Sequence, residues 1–221
     1  MSAQTWHDVD QYIADRLIAD DPVLASVLEA NANAGLPAID VSAAQGKLLH
    51  LMVRISGARR ILEIGTLGGY SAIWMARALP DHGQLVTMEF EERHAAVAKT
   101  NIKNAGLSAK VDIRVGKGAD LLPKLASEGG APFDLIFIDA DKPSNPIYLD
   151  WALKLSRSGT VIICDNVIRE GGVIDATSDD VNVNGARAAF DFFANHSNVT
   201  ATAIQTVGAK NYDGFAIAIV D

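Results

Sequence analysis

Two short stretches hold the residues best suited to chemistry. FDLIFIDADK (133–142) runs from an apolar core into Asp139, Asp141 and Lys142, and VIICDNV (161–167) runs into Asp165 and Asn166. Each reads as a buried strand with its polar residues gathered at the carboxyl end. If the two strands are neighbours, Asp139, Asp165 and Asn166 converge as an all-oxygen donor set. Hard dications prefer such a set, Mg²⁺ first and Mn²⁺ or Ca²⁺ after it, with water in the remaining positions. Lys142 stands just past Asp139. Beside a dication its pKa is expected to fall, which would leave a usable general base.

A second constellation surrounds ILEIGTLGGYS (61–71). A dinucleotide fingerprint needs glycine two residues past the first, so that a pyrophosphate can approach the backbone. Here that position is Leu67, and Glu63 just before the turn would repel phosphate. An acid there suits a cationic, amino-bearing ligand, which points to the sulfonium and α-amino group of S-adenosylmethionine. Ser71, opening the next helix, is placed to bond that ligand's carboxylate. Glu89 ends the following strand, where a carboxylate can accept from both ribose hydroxyls. That last feature fits any adenosyl ligand.

The elements that must position these residues follow from periodicity. Residues 5–20, 21–35 and 42–57 read as three helices, an N-terminal helical cap. Short β-branched runs then alternate with helices: strands at 59–65, 84–90, 110–116, 133–140 and 160–166, helices at 70–80, 92–106, 118–130 and 145–159. A helix near 185–195 precedes strands at 199–207 and 213–220, joined by the turn-like GAKNYDG as an antiparallel hairpin at one edge. The implied fold is α/β: a doubly wound, Rossmann-like sheet, mostly parallel, whose ligands lie outside the carboxyl ends of the strands. NPIY (145–148) falls where a helix begins, with Pro146 in its first turn, and is read as a helix start.

The bulk numbers agree with a single domain over 1–221, with 1–57 as its cap segment. The chain has 221 residues, 49% hydrophobic and 21% charged. Its formal charge of −8 disfavours nucleic-acid backbones, whose affinity needs lysine and arginine. No apolar stretch reaches the roughly 18 residues of a membrane span. The amphipathic N-terminus carries early acids, unlike a signal or transit peptide. Cys164 is the only cysteine, so a reducing cytoplasm is the expected location. The five histidines have no ligand spacing and read as surface or packing residues.

Taken in order, AIDVSAAQGKLL (38–49), ILEIGTLGGYSAIWMA (61–76), TMEFEE (87–92), FDLIFIDADK, VIICDNV and TVGAKNYDGFAIAIV (206–220) resemble the catechol- and caffeoyl-CoA-type family of cation-dependent S-adenosylmethionine O-methyltransferases. The resemblance implies a class I methyltransferase fold and transfer of a methyl group to a hydroxyl of a small ortho-diphenol. It implies Val41 against the methionine part of the donor, and Glu63, Gly65, Thr66 and Ser71 at its amino-acid end. Glu89 would take the ribose, and Gly118 and Asp141 would line the adenosine site. Asp139, Asp165 and Asn166 would hold the metal, with Asp139 also on the donor side, and Lys142 would be the base. Family members are commonly homodimers. Two features depart from many relatives: Ile168-Arg169 follows DNV where an aromatic is common, and GKGAD replaces a tighter turn before Gly118. The loop EGGVIDATSDDVNVNG (170–185) is unusually acidic.

Two other function classes fit parts of the pattern. An NAD-dependent oxidoreductase would share Glu89, but Leu67 and the lack of a Tyr-x-x-x-Lys or histidine catalytic element oppose it. A non-catalytic adenosyl-ligand binder would not need Asp139, Lys142, Asp165 and Asn166 together.

Overall fold

A computed structural model describes residues 2–221. Its centre is one seven-stranded sheet made of β1 (Arg60–Ile64), β2 (Gln84–Glu89), β3 (Val111–Val115), β4 (Leu135–Ile138), β5 (Val161–Asp165), β6 (Val199–Gly208) and β7 (Asn211–Val220). The order is β3-β2-β1-β4-β5-β7-β6, with the first five strands parallel and β7 antiparallel to both neighbours. The chain turns from one winding direction to the other between β1 and β4. Crevices at such reversals are where open α/β sheets bind ligands.

The strands are apolar on both faces because helices cover both. Leu62, Ile64, Val86, Ile136 and Ile162 pack under α6 (Gly118–Ser127), α7 (Asn145–Lys154) and α8 (Val181–Asn195). Ile61, Leu85, Leu135, Phe137 and Ile163 pack under α2 (Pro22–Asn33), α3 (Ala43–Ile55), α4 (Tyr70–Ala78) and α5 (Glu92–Asn104). α1 (Ala3–Leu17) buries none of its residues. Helix starts follow side-chain capping: Asp21 accepts from the Val23 and Leu24 amides, Ser42 from Gln45, and Asp180 from Asn182 and Val183.

Three expectations needed correction. α1 lies at 3–17 rather than 5–20, because Ser2 caps it. α8 begins at 181, four residues before the expected start, since Asp180 is an N-cap that the acidic loop reading concealed. The stretch 208–214 is mostly strand: Gly208 pairs with Asn211, leaving only Ala209-Lys210 as the turn, with Asn211 at φ 69°. The antiparallel β6–β7 hairpin stands at one edge of the sheet as expected, with β7 next to β5 and β6 outermost.

Close backbone approach sets the position of the loop after β4. A Cβ on Gly185 of α8 would lie 2.1 Å from the Lys142 carbonyl oxygen, so only glycine lets the helix cross there. Asn145 donates to the Gly185 carbonyl at 3.4 Å. Gly185→Ala is therefore expected to lower stability by about 1–3 kcal/mol through overpacking, read from urea unfolding. It should also lower turnover by displacing the Lys142 loop; full stability and turnover would contradict this packing account.

Candidate active site

Strand register brings the acids together. Ile138 of β4 pairs with Cys164 of β5, so the next residues, Asp139 and Asp165, emerge side by side. Ile64 of β1 pairs with both Ile138 and Met88, which places the glycine turn between Asp139 and Glu89. A cavity of about 740 Å³ opens over these ends. Val41, Gly65, Thr66, Ser71, Glu89, Gly118, Asp139, Asp141, Lys142 and Asn166 all line it, while Glu63 and Asp165 lie buried behind the lining.

Just before the glycine turn Glu63 is completely buried. It accepts from Ser71 Oγ and Thr87 Oγ1, each at 2.6 Å. Burial pushes its pKa up to about 8, against the lowering effect of the two hydroxyls, and Asp139 and Glu89 add to the rise. The Ser71 hydroxyl is thus committed to Glu63 here rather than free to donate into the cavity. Gly65 has φ 98°, and a Cβ on it would meet the Asp139 carbonyl oxygen at 2.0 Å, which makes glycine obligatory there. Leu67, the residue that spoils the dinucleotide fingerprint, has φ 49°. Glu89 holds this strained turn: its Oε2 accepts from the Thr66 and Leu67 amides at 3.1 and 2.8 Å, and its Oε1 from the Glu91 amide at 2.9 Å.

Asp141, Gly118 and Val41 are likewise held in place. Asp141 accepts from Ser144 Oγ and the Tyr148 hydroxyl, both at 2.5 Å. Gly118 opens α6, where a Cβ would sit 3.0 Å from the Tyr148 ring and 3.2 Å from Ile64. Val41 is buried at the cavity wall.

Past the β4 end Lys142 is only 6% exposed and donates to Asp139 Oδ1 at 3.1 Å. Asp165 is 4% exposed; its Oδ2 accepts from Gln45 Nε2 at 2.6 Å and its Oδ1 from the Asn166 amide at 2.9 Å. Asn166 has φ 54°, a left-handed conformation that asparagine tolerates better than most residues. Burial and the Asp139 carboxylate push Asp165 upward. Desolvation favours a neutral Lys142, but Asp139 and Asp165 outweigh it and hold the ammonium above its ordinary value. The expected fall of Lys142 therefore requires positive charge between the two aspartates. The donor set fits such a charge: two carboxylates and one amide, all oxygen, in a buried place that disfavours two bare anions. No cluster of three or more His, Cys, Asp or Glu suited to a metal occurs among the described residues, so the amide of Asn166 is essential to this candidate.

Several site residues carried no isolated signal. Gln45 reaches Asp165 from α3, and Thr87 meets Glu63 only because the two are paired in register. His94, read from sequence as a surface or packing residue, lines the cavity 3.5 Å from Glu89 Oε1. Phe90, Tyr148 and Arg169 line it as well. Asn145 opens α7 with Pro146 in its first turn, as the sequence indicated. Among the described residues no helix is long and apolar enough to cross a membrane.

Residues 14–201 match the family described as O-methyltransferase. A catechol O-methyltransferase from Niastella koreensis is 52% identical over 220 residues, covering 100% of both chains. Among solved structures, an O-methyltransferase from Bacillus cereus in complex with SAH superposes with a TM-score of 0.99 at 55% identity, covering 100% of each chain. An O-methyltransferase from Streptomyces achromogenes, involved in tomaymycin synthesis and solved with SAM, gives a TM-score of 0.96 at 49% identity, covering 100% of this chain and 99% of that one.

The raised Glu63 has a definite pH signature. Its folded value of about 8 lies above the ordinary 4.5, so its contribution to stability is fully present below 4.5 and is lost as pH rises through about 8. Glu63→Gln removes the ionisation. Chemical denaturation from pH 5 to 9 is expected to move in the variant's favour by a few kcal/mol as pH rises, at about 1.4 kcal/mol per pK unit. A pH-independent difference between the two proteins would contradict a buried, protonated Glu63.

Proposed function

The chain belongs to the O-methyltransferase family, and we propose that it transfers the methyl group of S-adenosylmethionine to one hydroxyl of a small ortho-diphenol. One observation carries this reading: an Asp139–Lys142–Asp165 cluster with Lys142 and Asp165 buried, and an acid-backed glycine turn that lies against Asp139, border one cavity. Val41, Gly65, Thr66 and Ser71 bound the donor's amino-acid end, and Glu63 backs that end from behind the lining through Ser71. Gly118 and Asp141 border its adenosine. Glu89 faces the ribose while its backbone hydrogen bonds keep the turn in place. This set fits a donor that is cationic at one end and carries no phosphate.

Methyl transfer from a sulfonium to a phenolate cancels opposite charges, so little new charge needs stabilising in the transition state. What the chain must supply is a deprotonated and aligned oxygen, and alignment alone contributes several kcal/mol. Asp139, Asp165 and Asn166 would hold a divalent cation, Mg²⁺ first. When bound, it supplies Lewis acidity and a chelation point for two adjacent hydroxyls. Lys142 takes the phenolic proton once the carboxylates beside it are neutralised and desolvation governs its pKa. Gln45 fixes the Asp165 carboxylate, and the Asp139–Lys142 hydrogen bond keeps the amine at the cavity wall. A second copy of the chain would find an apolar face at α1 and at the exposed Ile204 and Val207 of β6.

Initial rates with labelled S-adenosylmethionine and caffeate are expected to require both Mg²⁺ and two adjacent hydroxyls, with no turnover of 4-coumarate and none in EDTA. Lys142→Met should lower kcat by about 10²–10⁴-fold, the usual contribution of a positioned acid or base, with donor binding intact by calorimetry. Turnover surviving EDTA would remove the metal role. Intact donor binding without turnover on any diol would turn the reading to a non-catalytic adenosyl binder.

A further inference from the structure

Arg169 follows Asn166 by three residues and lines the same cavity as Asn166, Lys142 and Asp139. Its backbone is fixed. Asp213 of β7 accepts from the Ile168 and Arg169 amides at 3.0 Å each and from the Gly214 amide at 2.9 Å, all through Oδ1. That clamp holds Arg169 at φ 54°, with Glu170 and Gly171 also left-handed. Its side chain is not fixed in the same way. Among the described residues the guanidinium donates no hydrogen bond: Asp213 Oδ2 lies 3.7 Å from Nη1, and the buried Nε has no partner.

The surroundings explain why this is unusual. Arg187, also beside the 169–174 turn, donates to the Val173 carbonyl at 2.7 Å and so serves structure. Lys142 is engaged by Asp139. Asp180, the other acid near Arg169, is exposed and spends Oδ1 on capping α8. A cation one-third exposed on a cavity wall, rigid at its backbone and held at its head only by a 3.7 Å ion pair with Asp213, is suited to an incoming anion.

We propose that Arg169 is the anion subsite for the acceptor, so that the preferred acceptor is an aromatic diol bearing a carboxylate rather than a neutral catechol. This rests on the methyl-transfer reading above. The carboxylate takes the Nη donors, which make no hydrogen bond to the protein, while the two hydroxyls remain beside Asp139, Asn166 and Lys142. A planar guanidinium fits a carboxylate through two parallel hydrogen bonds, which Lys in its place would not reproduce.

The test compares caffeate with its methyl ester, on wild type, Arg169→Met and Arg169→Lys, in Mg²⁺. Wild type is expected to favour the acid in kcat/KM on the order of 10- to 100-fold, the range for a hydrogen bond to a charged group. Arg169→Met should erase that preference through the KM for caffeate, leaving kcat and the ester's kinetics in place, and Arg169→Lys should fall between. The acid-to-ester ratio, compared between proteins, cancels the ring's own electronics. Equal wild-type efficiency on acid and ester would overturn the anion subsite while leaving methyl transfer standing. So would an equal loss on both substrates with a lowered melting temperature, since that marks a structural arginine. Failure of wild type on both diols, with donor binding intact, would overturn the diol reading and this inference with it.

Discussion

The ion pair between Lys142 and Asp139 is the constraint on which the site depends. Among the described residues Lys142 is the only buried lysine or arginine, while Glu63, Glu89 and Asp165 are buried acids around the same crevice. One cation cannot neutralise them all. Each carboxylate is therefore handled separately: Glu63 by hydroxyls and an upward pKa, Glu89 by three backbone amides, and Asp165 by Gln45 and its neighbour's amide. An interior short of positive charge favours cationic ligands.

The fold keeps this arrangement rigid by bringing backbones close. Gly65 lets the turn after β1 lie against Asp139, and Gly185 lets α8 lie across the Lys142 loop. A side chain at either place would force apart the strand ends that carry the chemistry. A smaller network extends the same control to the cap. Asn101 donates to Asn31 and to the Gly68 carbonyl, and Asn31 donates to Asp40 on the cavity wall. The glycine turn is thus held from β2 by Glu89 and from α5 by Asn101.

Much of this was legible from the sequence because strand-mouth acids follow continuous apolar runs. LIFI before Asp139 and VIIC before Asp165 indicate buried strands, and the break to polar residues marks their carboxyl ends. Ten of the twelve residues singled out in the sequence line the cavity, and the other two, Glu63 and Asp165, are buried behind it. What escaped was set by register and by contacts distant in sequence. Thr87 opposes Glu63 only through β1–β2 pairing, and Gln45 reaches Asp165 across 120 positions. The β7 insertion between β5 and β6 escaped as well, since alternation predicts a hairpin but not which strand lies inward. The acidity of 170–185 hid a helix start because a capping aspartate looks like any loop acid until its amide partners are known.

Direct binding of Mn²⁺ tests the central claim without relying on turnover. Electron paramagnetic resonance should find a single ion bound per chain in wild type and the signal of free Mn²⁺ in Asp165→Asn, with circular dichroism confirming that the variant is folded. Undiminished Mn²⁺ binding by that variant, or none by wild type, would mean that Asp139, Asp165 and Asn166 are not a metal site.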